Sequence, residues 1–170
     1  MRVYIPATLA MLVQLVADGV MPARSGTAFA VTPTLREAYS HGDEDELSEI
    51  ALREAALASL RLLSGEDAGE RSASALPPRR VVLVADADGV TVRPDLDDAV
   101  VRLEGPIALR DVIAAYVDNS SAESAVLAAV EVIDEADLGD EDAELTVGDA
   151  QDHDLAWYAP SELPFLLELL

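Results

Sequence analysis

Apolar positions along this chain recur at two spacings, and the switches between them mark out its elements. Val3-Tyr4-Ile5 predicts a strand over Arg2–Ile5, ended by Pro6. Leucines three apart then predict a helix from Thr8 or Ala7 to about Ala17, closed by Asp18-Gly19. Gly26–Val31 reads as a second strand, and Thr32-Pro33 as the N-cap and first-turn proline of a short helix reaching about Ser40. A longer helix follows to about Leu63, with Asp43 and Glu46 at capping-box spacing. Leu47, Ile50, Ala51, Ala55, Leu57, Ala58 and Leu62 fall on one side of it. Leu52, Ala56, Leu60 and Leu63 fall nearly opposite. A helix apolar on two sides is sandwiched in the core or shared with a partner subunit.

Ser64–Pro78, rich in Gly, Ser, Pro and acids, reads as a flexible loop. Val81-Val82-Leu83-Val84 within Arg79–Ala87 is the continuous run of a strand buried on both faces. Asp88-Gly89 is a hairpin signal before Val90–Arg93, Pro94–Asp98 is a turn, and Ala99–Leu103 is another strand. Gly105-Pro106 ends it and opens a helix to about Val117. Asn119-Ser120 and Glu123 start the next helix, which runs to about Ala136 and carries Ala122, Ala125, Val126, Ala129, Val130 and Ile133 on one face. Gly139–Asp154 reads as a second acidic loop, with Glu144–Val147 as a short strand inside it. Leu155–Tyr158 and Ser161–Leu170 are the last strand and helix.

Strands alternating with helices, with one hairpin, predict an α/β fold. The expected architecture is one domain over 1–170 with flexible acidic loops at 64–78 and 139–153. Its sheet is mixed parallel/antiparallel, of about five or six strands, and covered by helices. Val3–Val16 and Trp157–Leu170 align without a gap, and proline junctions recur at Pro6, Pro33, Pro106 and Pro160. Pro33 leads to Leu35-Arg36-Glu37 and Pro106 to Leu109-Arg110-Asp111, as an internal duplication with pseudo-twofold symmetry would require. The competing reading is that prolines commonly punctuate such junctions.

Composition narrows the chemistry. In 170 residues there are 33 acids against 11 basic residues, a formal charge of −22 that repels nucleic acid and anionic membranes. No Cys is present, so no disulfide, thiol nucleophile or Cys-ligated zinc is expected. All 11 basic residues are Arg, which removes Schiff-base chemistry and the phosphate-loop lysine. Arg2, the run Leu9–Val16 and Thr27–Ala30 resemble a secretion leader, but Pro6, Gln14 and Asp18 interrupt it. The segment reads as mature structure, and a cytoplasmic location with no membrane span is expected.

Few constellations suggest a reaction. Asp86-Ala87-Asp88-Gly89 after Val81–Val84 resembles the opening of haloacid dehalogenase-type phosphatases. That resemblance implies a nucleophilic first Asp and an acid/base second, yet the chain has no lysine for the phosphoryl group, and a turn explains Asp88-Gly89 equally well. His153, Asp152, Asp154 and His41, with Asp149, Asp43 or Asp45, are candidate metal ligands, set against the commoner reading of a solvated acidic loop. Glu54 lies in an apolar stripe with Arg61 two turns on, a structural ion pair or a shifted carboxylate. Trp157, Tyr158, Phe165, Leu166 and Leu169 are candidate interaction residues, although the tail helix also suits closing the core.

Four stretches together resemble a family of small actinobacterial proteins of unknown function. They are Met1–Leu9, Ser25–Pro33, Arg93-Pro94-Asp95-Leu96 and His153–Pro160. The resemblance spans nearly the whole chain and implies an actinobacterial, cytosolic origin. It supplies no reaction, ligand or catalytic residue. The expected function is therefore a non-catalytic protein-interaction or regulatory domain that needs no cofactor. Its partner would be another protein, or a second copy in a homodimer. The alternative is a small metal-dependent enzyme or metal-binding protein built on His153 and its neighbouring carboxylates.

Overall fold

The computed structural model describes residues 1–66 and 76–170, with the side chain of Arg24 left aside. A seven-stranded sheet forms the centre, in the order β5-β6-β3-β1-β4-β8-β9. Its strands are β1 (Arg2–Ala7), β3 (Thr27–Phe29), β4 (Val81–Asp86), β5 (Val90–Val92), β6 (Val100–Leu103), β8 (Val112–Val117) and β9 (Ala156–Tyr158). A separate two-residue ladder joins β2 (Val20–Met21) to β7 (Ile107–Ala108). Six α-helices occur among the described residues: α1 (Leu9–Asp18), α2 (Pro33–Ala38), α3 (Glu44–Gly65), α4 (Glu123–Asp137), α5 (Glu141–Gln151) and α6 (Leu163–Glu168).

The α/β class holds, but every ladder is antiparallel, so the expected mixed sheet is corrected. The reason lies in where the connections land. β3 and β4 run the same way, joined by α2 and α3, yet β1 sits between them antiparallel to both. A paired-helix excursion through α4 and α5 returns the chain to the end it left, so β9 pairs antiparallel with β8. Asp88-Gly89 does turn the chain, with Gly89 at φ 67°. No hairpin forms there, because β4 lies between β1 and β8 while β5 pairs with β6 at the far edge.

Three further expectations change. Residues 107–117 form β7, a single 3₁₀ turn (Leu109–Asp111) and β8 instead of a helix. Val112, Ile113, Tyr116 and Val117 are β-branched or aromatic, and a short apolar run of this kind does not reveal its own period. Residues 141–151 are helix α5 where a loop with a strand was expected. Asp140 accepts a hydrogen bond from the Ala143 amide at 2.9 Å, and Glu141, Asp142 and Glu144 sit at the positive helix end. Only the small residues Ala143, Val147 and Ala150 are buried along it, so its stripe is faint in the sequence. The loop expected at 64–78 falls largely on 67–75, outside the described residues, and α3 already includes Ser64 and Gly65.

The proline junctions do not repeat. Pro33 starts α2 and Pro160 starts a 3₁₀ turn, but Pro6 lies inside β1 opposite Val82, and Pro106 leads into β7. The two ends share a strand-then-helix order only. β1 is a central six-residue strand, whereas β9 is a three-residue edge.

Alternation along the strands builds a core on each face. Val3, Ile5, Leu83 and Ala115 meet Leu9, Leu12 and Leu15 of α1 and Leu163 and Leu166 of α6. On the opposite face Tyr4, Val82, Val84 and Ala114 meet Leu35 of α2 and Leu47, Ala51 and Ala55 of α3. Farther along α3, Leu60 and Leu63 pack with Val126, Ala129 and Ile133 of α4 and Val147 of α5. α3 therefore packs against the sheet and, farther along, against α4, with Leu52 and Ala56 of one expected side sharing the sheet-facing cluster with Leu47 and Ala51 of the other.

Candidate functional site

A groove of about 690 Å³ opens on the α3 face of the sheet. Its walls are Glu46, Glu49, Ile50, Leu52, Arg53 and Ala56 of α3, Tyr39 after α2, and Tyr116 of β8. The last residue of α5, Gln151, and the link to β9, with His153, Asp154 and Leu155, close it. Arg80, one residue before β4, lies beneath.

Arg80 and Asp118 fix this wall. The Val81↔Val117 pairing, carried one residue outward, places them opposite each other, and they are 1 % and 0 % exposed. Arg80 donates from Nε to Asp118 Oδ2 at 2.8 Å and from Nη2 to Oδ1 at 2.7 Å. Its amide also donates to Oδ2 at 2.7 Å. Two planar groups meeting edge to edge in this way form a strong charge-assisted pair. The guanidinium then reaches outward, from Nη1 to Gln151 Oε1 at 2.9 Å and from Nη2 to the His153 carbonyl at 2.7 Å. Gln151 Nε2 donates to the Arg53 carbonyl at 3.2 Å. One buried cation thus ties β4, β8, α5 and the strap before β9 together, and through Gln151 reaches α3. Ser59, wholly buried, adds a second tie. Its Oγ donates to the Ala7 carbonyl at 2.6 Å and accepts from the Val81 amide at 3.1 Å.

Neither tie is legible in the sequence, for a definite reason. The Arg80–Asp118 pairing is visible only once 112–117 is recognised as a strand. The polar tip of Ser59 sits on an otherwise apolar stripe.

The predicted metal ligands do not converge. His153 lines the groove and gives its carbonyl to Arg80, Asp154 is exposed at the rim, and Asp152 is exposed. His41 lies exposed in the turn between α2 and α3. Among the described residues no group of three or more His, Asp or Glu is placed to hold a metal. Glu54 and Arg61 do not pair. Arg61 makes two 3.0 Å bonds to Asp137 of α4, which hold the Asp137 carboxyl below its ordinary value. Burial, and then Asp97, push the Glu54 carboxyl upward. Burial likewise raises the Tyr116 phenol, with a smaller push from neighbouring Tyr4.

Asp86 of the phosphatase-like run pairs with Arg2 at 3.3 Å. The adjoining cavity of about 370 Å³ is lined by Asp86, Asp88, Glu104 and Asp111 with no cation, an environment that repels a phosphoryl group.

The candidate interaction residues divide. Leu166 is buried in the core and Tyr158 packs at its margin, so part of the tail closes the fold. Trp157, Phe165 and Leu169 are 56 %, 67 % and 85 % exposed. Trp157 lies opposite Tyr116 and so on the α3 face, while α6 covers the other face.

Against known proteins, the family model of a family of unknown function, DUF6912, matches residues 1–167. No curated protein and no solved structure matches the chain. Among the described residues no helix is long and apolar enough to cross a membrane.

Proposed function

The chain belongs to this family of unknown function, and from its geometry we propose a non-catalytic protein-interaction domain, acting as one unit, that pairs with a second copy of itself along β9. The observation that carries the reading is an open sheet edge bearing an uncovered tryptophan, with further exposed apolar side chains on the helix that follows it. Among the described residues β9 has β8 as its one neighbour in the sheet, and Trp157, Phe165 and Leu169 stand exposed on it and on α6. Edge strands are ordinarily blunted by shortness, charge, proline or a covering element; β9 is short at three residues, but none of them is charged or proline.

Charge supports a second copy as the occupant. Two bodies of charge −22 repel one another, so a lightly charged surface is the cheaper place for them to meet. Leu155–Leu170 holds only Glu162 and Glu168 of the 33 acids. A twofold axis through Trp157 would set β9 antiparallel to its copy, place the two indoles opposite each other and join both sheets.

Sedimentation velocity over a range of concentrations tests this. The expected result is a dimer at micromolar concentration that Trp157→Glu and Phe165→Ser each convert to monomer. A wild-type protein that stays monomeric throughout overturns the pairing. A stoichiometric metal retained through purification overturns the non-catalytic reading.

A further inference from the structure

The groove beside α3 offers a second surface, independent of the β9 edge. It continues into two neighbouring hollows of about 580 and 470 Å³. The first shares Glu46, Glu49, Leu52 and Tyr116 with it, and the second shares Arg2, Tyr4, Asp45 and Ser48 with the first. Together they form a trench along the N-terminal half of α3.

Its charges are unevenly matched. Arg80 is neutralised by Asp118, Arg36 pairs with Glu44, and Arg2 pairs with Asp86. Arg53 donates from Nη1 to the Gln151 carbonyl at 3.4 Å, and the Met1 ammonium donates to the Ala87 carbonyl. Among the described residues these two are the lining cations without a carboxylate partner, against Glu46, Glu49, Asp154, Asp43 and Asp45. Asp45 and Glu46 also serve the positive end of α3, and Asp43 caps it. Glu49 and Asp154 lie outside that turn, so helix stability does not account for them. Between the carboxylates the floor is apolar and aromatic, with Ile50, Leu52, Leu155, Tyr4 and Tyr116.

We propose that this trench seats an extended segment of another protein bearing arginine or lysine side chains. Each feature matches one part of such a side chain. Carboxylates at the rim meet the charged head, the aliphatic stem lies over Leu52 and Ile50, and the rings of Tyr116 and the half-exposed Tyr39 attract a cation through the ring quadrupole. A single metal ion does not fit, since the carboxylates are strung along the trench with no three gathered to chelate. Their spacing along a line suits charges spaced along a chain.

Fluorescence anisotropy with a labelled short peptide alternating arginine and leucine tests the assignment, in about 0.15 M salt so that diffuse attraction is screened. Saturable binding is expected, and Glu46→Gln with Glu49→Gln should weaken it by about tenfold. Glu131→Gln with Asp134→Gln, on the exposed side of α4, should leave it unchanged. All four positions are exposed, so both variants should fold, which circular dichroism checks. Three outcomes overturn the proposal: no saturation, equal loss in both variants, or displacement by spermidine as effective as by unlabelled peptide. Repeating the titration with Phe165→Ser separates this result from self-association.

Discussion

Arg80 and Asp118 illustrate how unequal two halves of a buried ion pair are to their removal. Each charge is tolerable inside only because the other is there, with backbone and side-chain partners for the remaining atoms. Asp118→Ala strands a guanidinium and should cost about 3–5 kcal/mol. Arg80→Met with Asp118→Leu removes both charges and should recover most of that loss. Urea unfolding of the two variants measures it, and a loss below about 1 kcal/mol for Asp118→Ala would contradict the role given to the pair. Glu54 presents the opposite case, a carboxylate that its surroundings push toward the neutral form through burial and Asp97. Because the folded state holds this proton more tightly than the unfolded chain, stability falls as pH rises from the ordinary carboxylate value through the raised one. Glu54→Gln should therefore be more stable than wild type at neutral pH. The gain should vanish below the ordinary value, and a pH series of thermal melts checks this.

Elements were legible where a local signal and a tertiary role agreed. α3 begins at its capping Asp43, with the Asp43 carboxylate accepting from the Glu46 amide at 2.8 Å. Its apolar residues, however, divide along its length instead of by side, Leu52 and Ala56 joining Leu47 and Ala51 against the sheet while Leu57, Leu60 and Leu63 meet α4. β4 announced itself by four consecutive large aliphatics. β8 and α5 are hard to read in the sequence for opposite reasons. Ile107–Val117 was apolar enough for either element, and the Gly105-Pro106 punctuation suited both. α5 carried so little apolar surface that its acids, which are helix-starting charges, looked like loop. The groove was hidden for the same reason, because Tyr116 belongs to β8 and Gln151 to α5. Thr32, by contrast, was legible and does more than cap. Its Oγ1 accepts from the Leu35 amide at 3.1 Å and donates to the Asp98 carbonyl, tying α2 to the turn between β5 and β6. Thr32→Val should cost about 2 kcal/mol and Thr32→Ser less than half of that, as thermal denaturation would show.

Over the whole molecule, 33 acids against 11 arginines leave the folded body repelling itself. Screening should relieve this, so the urea midpoint is expected to rise between about 0.05 and 0.5 M sodium chloride. A falling midpoint would mean that ion pairs such as Arg61–Asp137 and Arg79–Glu123 outweigh the general repulsion. The order of strands has a consequence in time as well. β1 lies at the centre of the sheet, yet its long ladder is with β4, and Arg2 meets Asp86 across 84 positions of sequence. During synthesis β1 is therefore made well before its main partner exists, and its apolar side chains wait uncovered until β4 emerges. Such distant pairing makes for slow folding and for an interval in which a chaperone, or another nascent chain, finds β1 before β4 does.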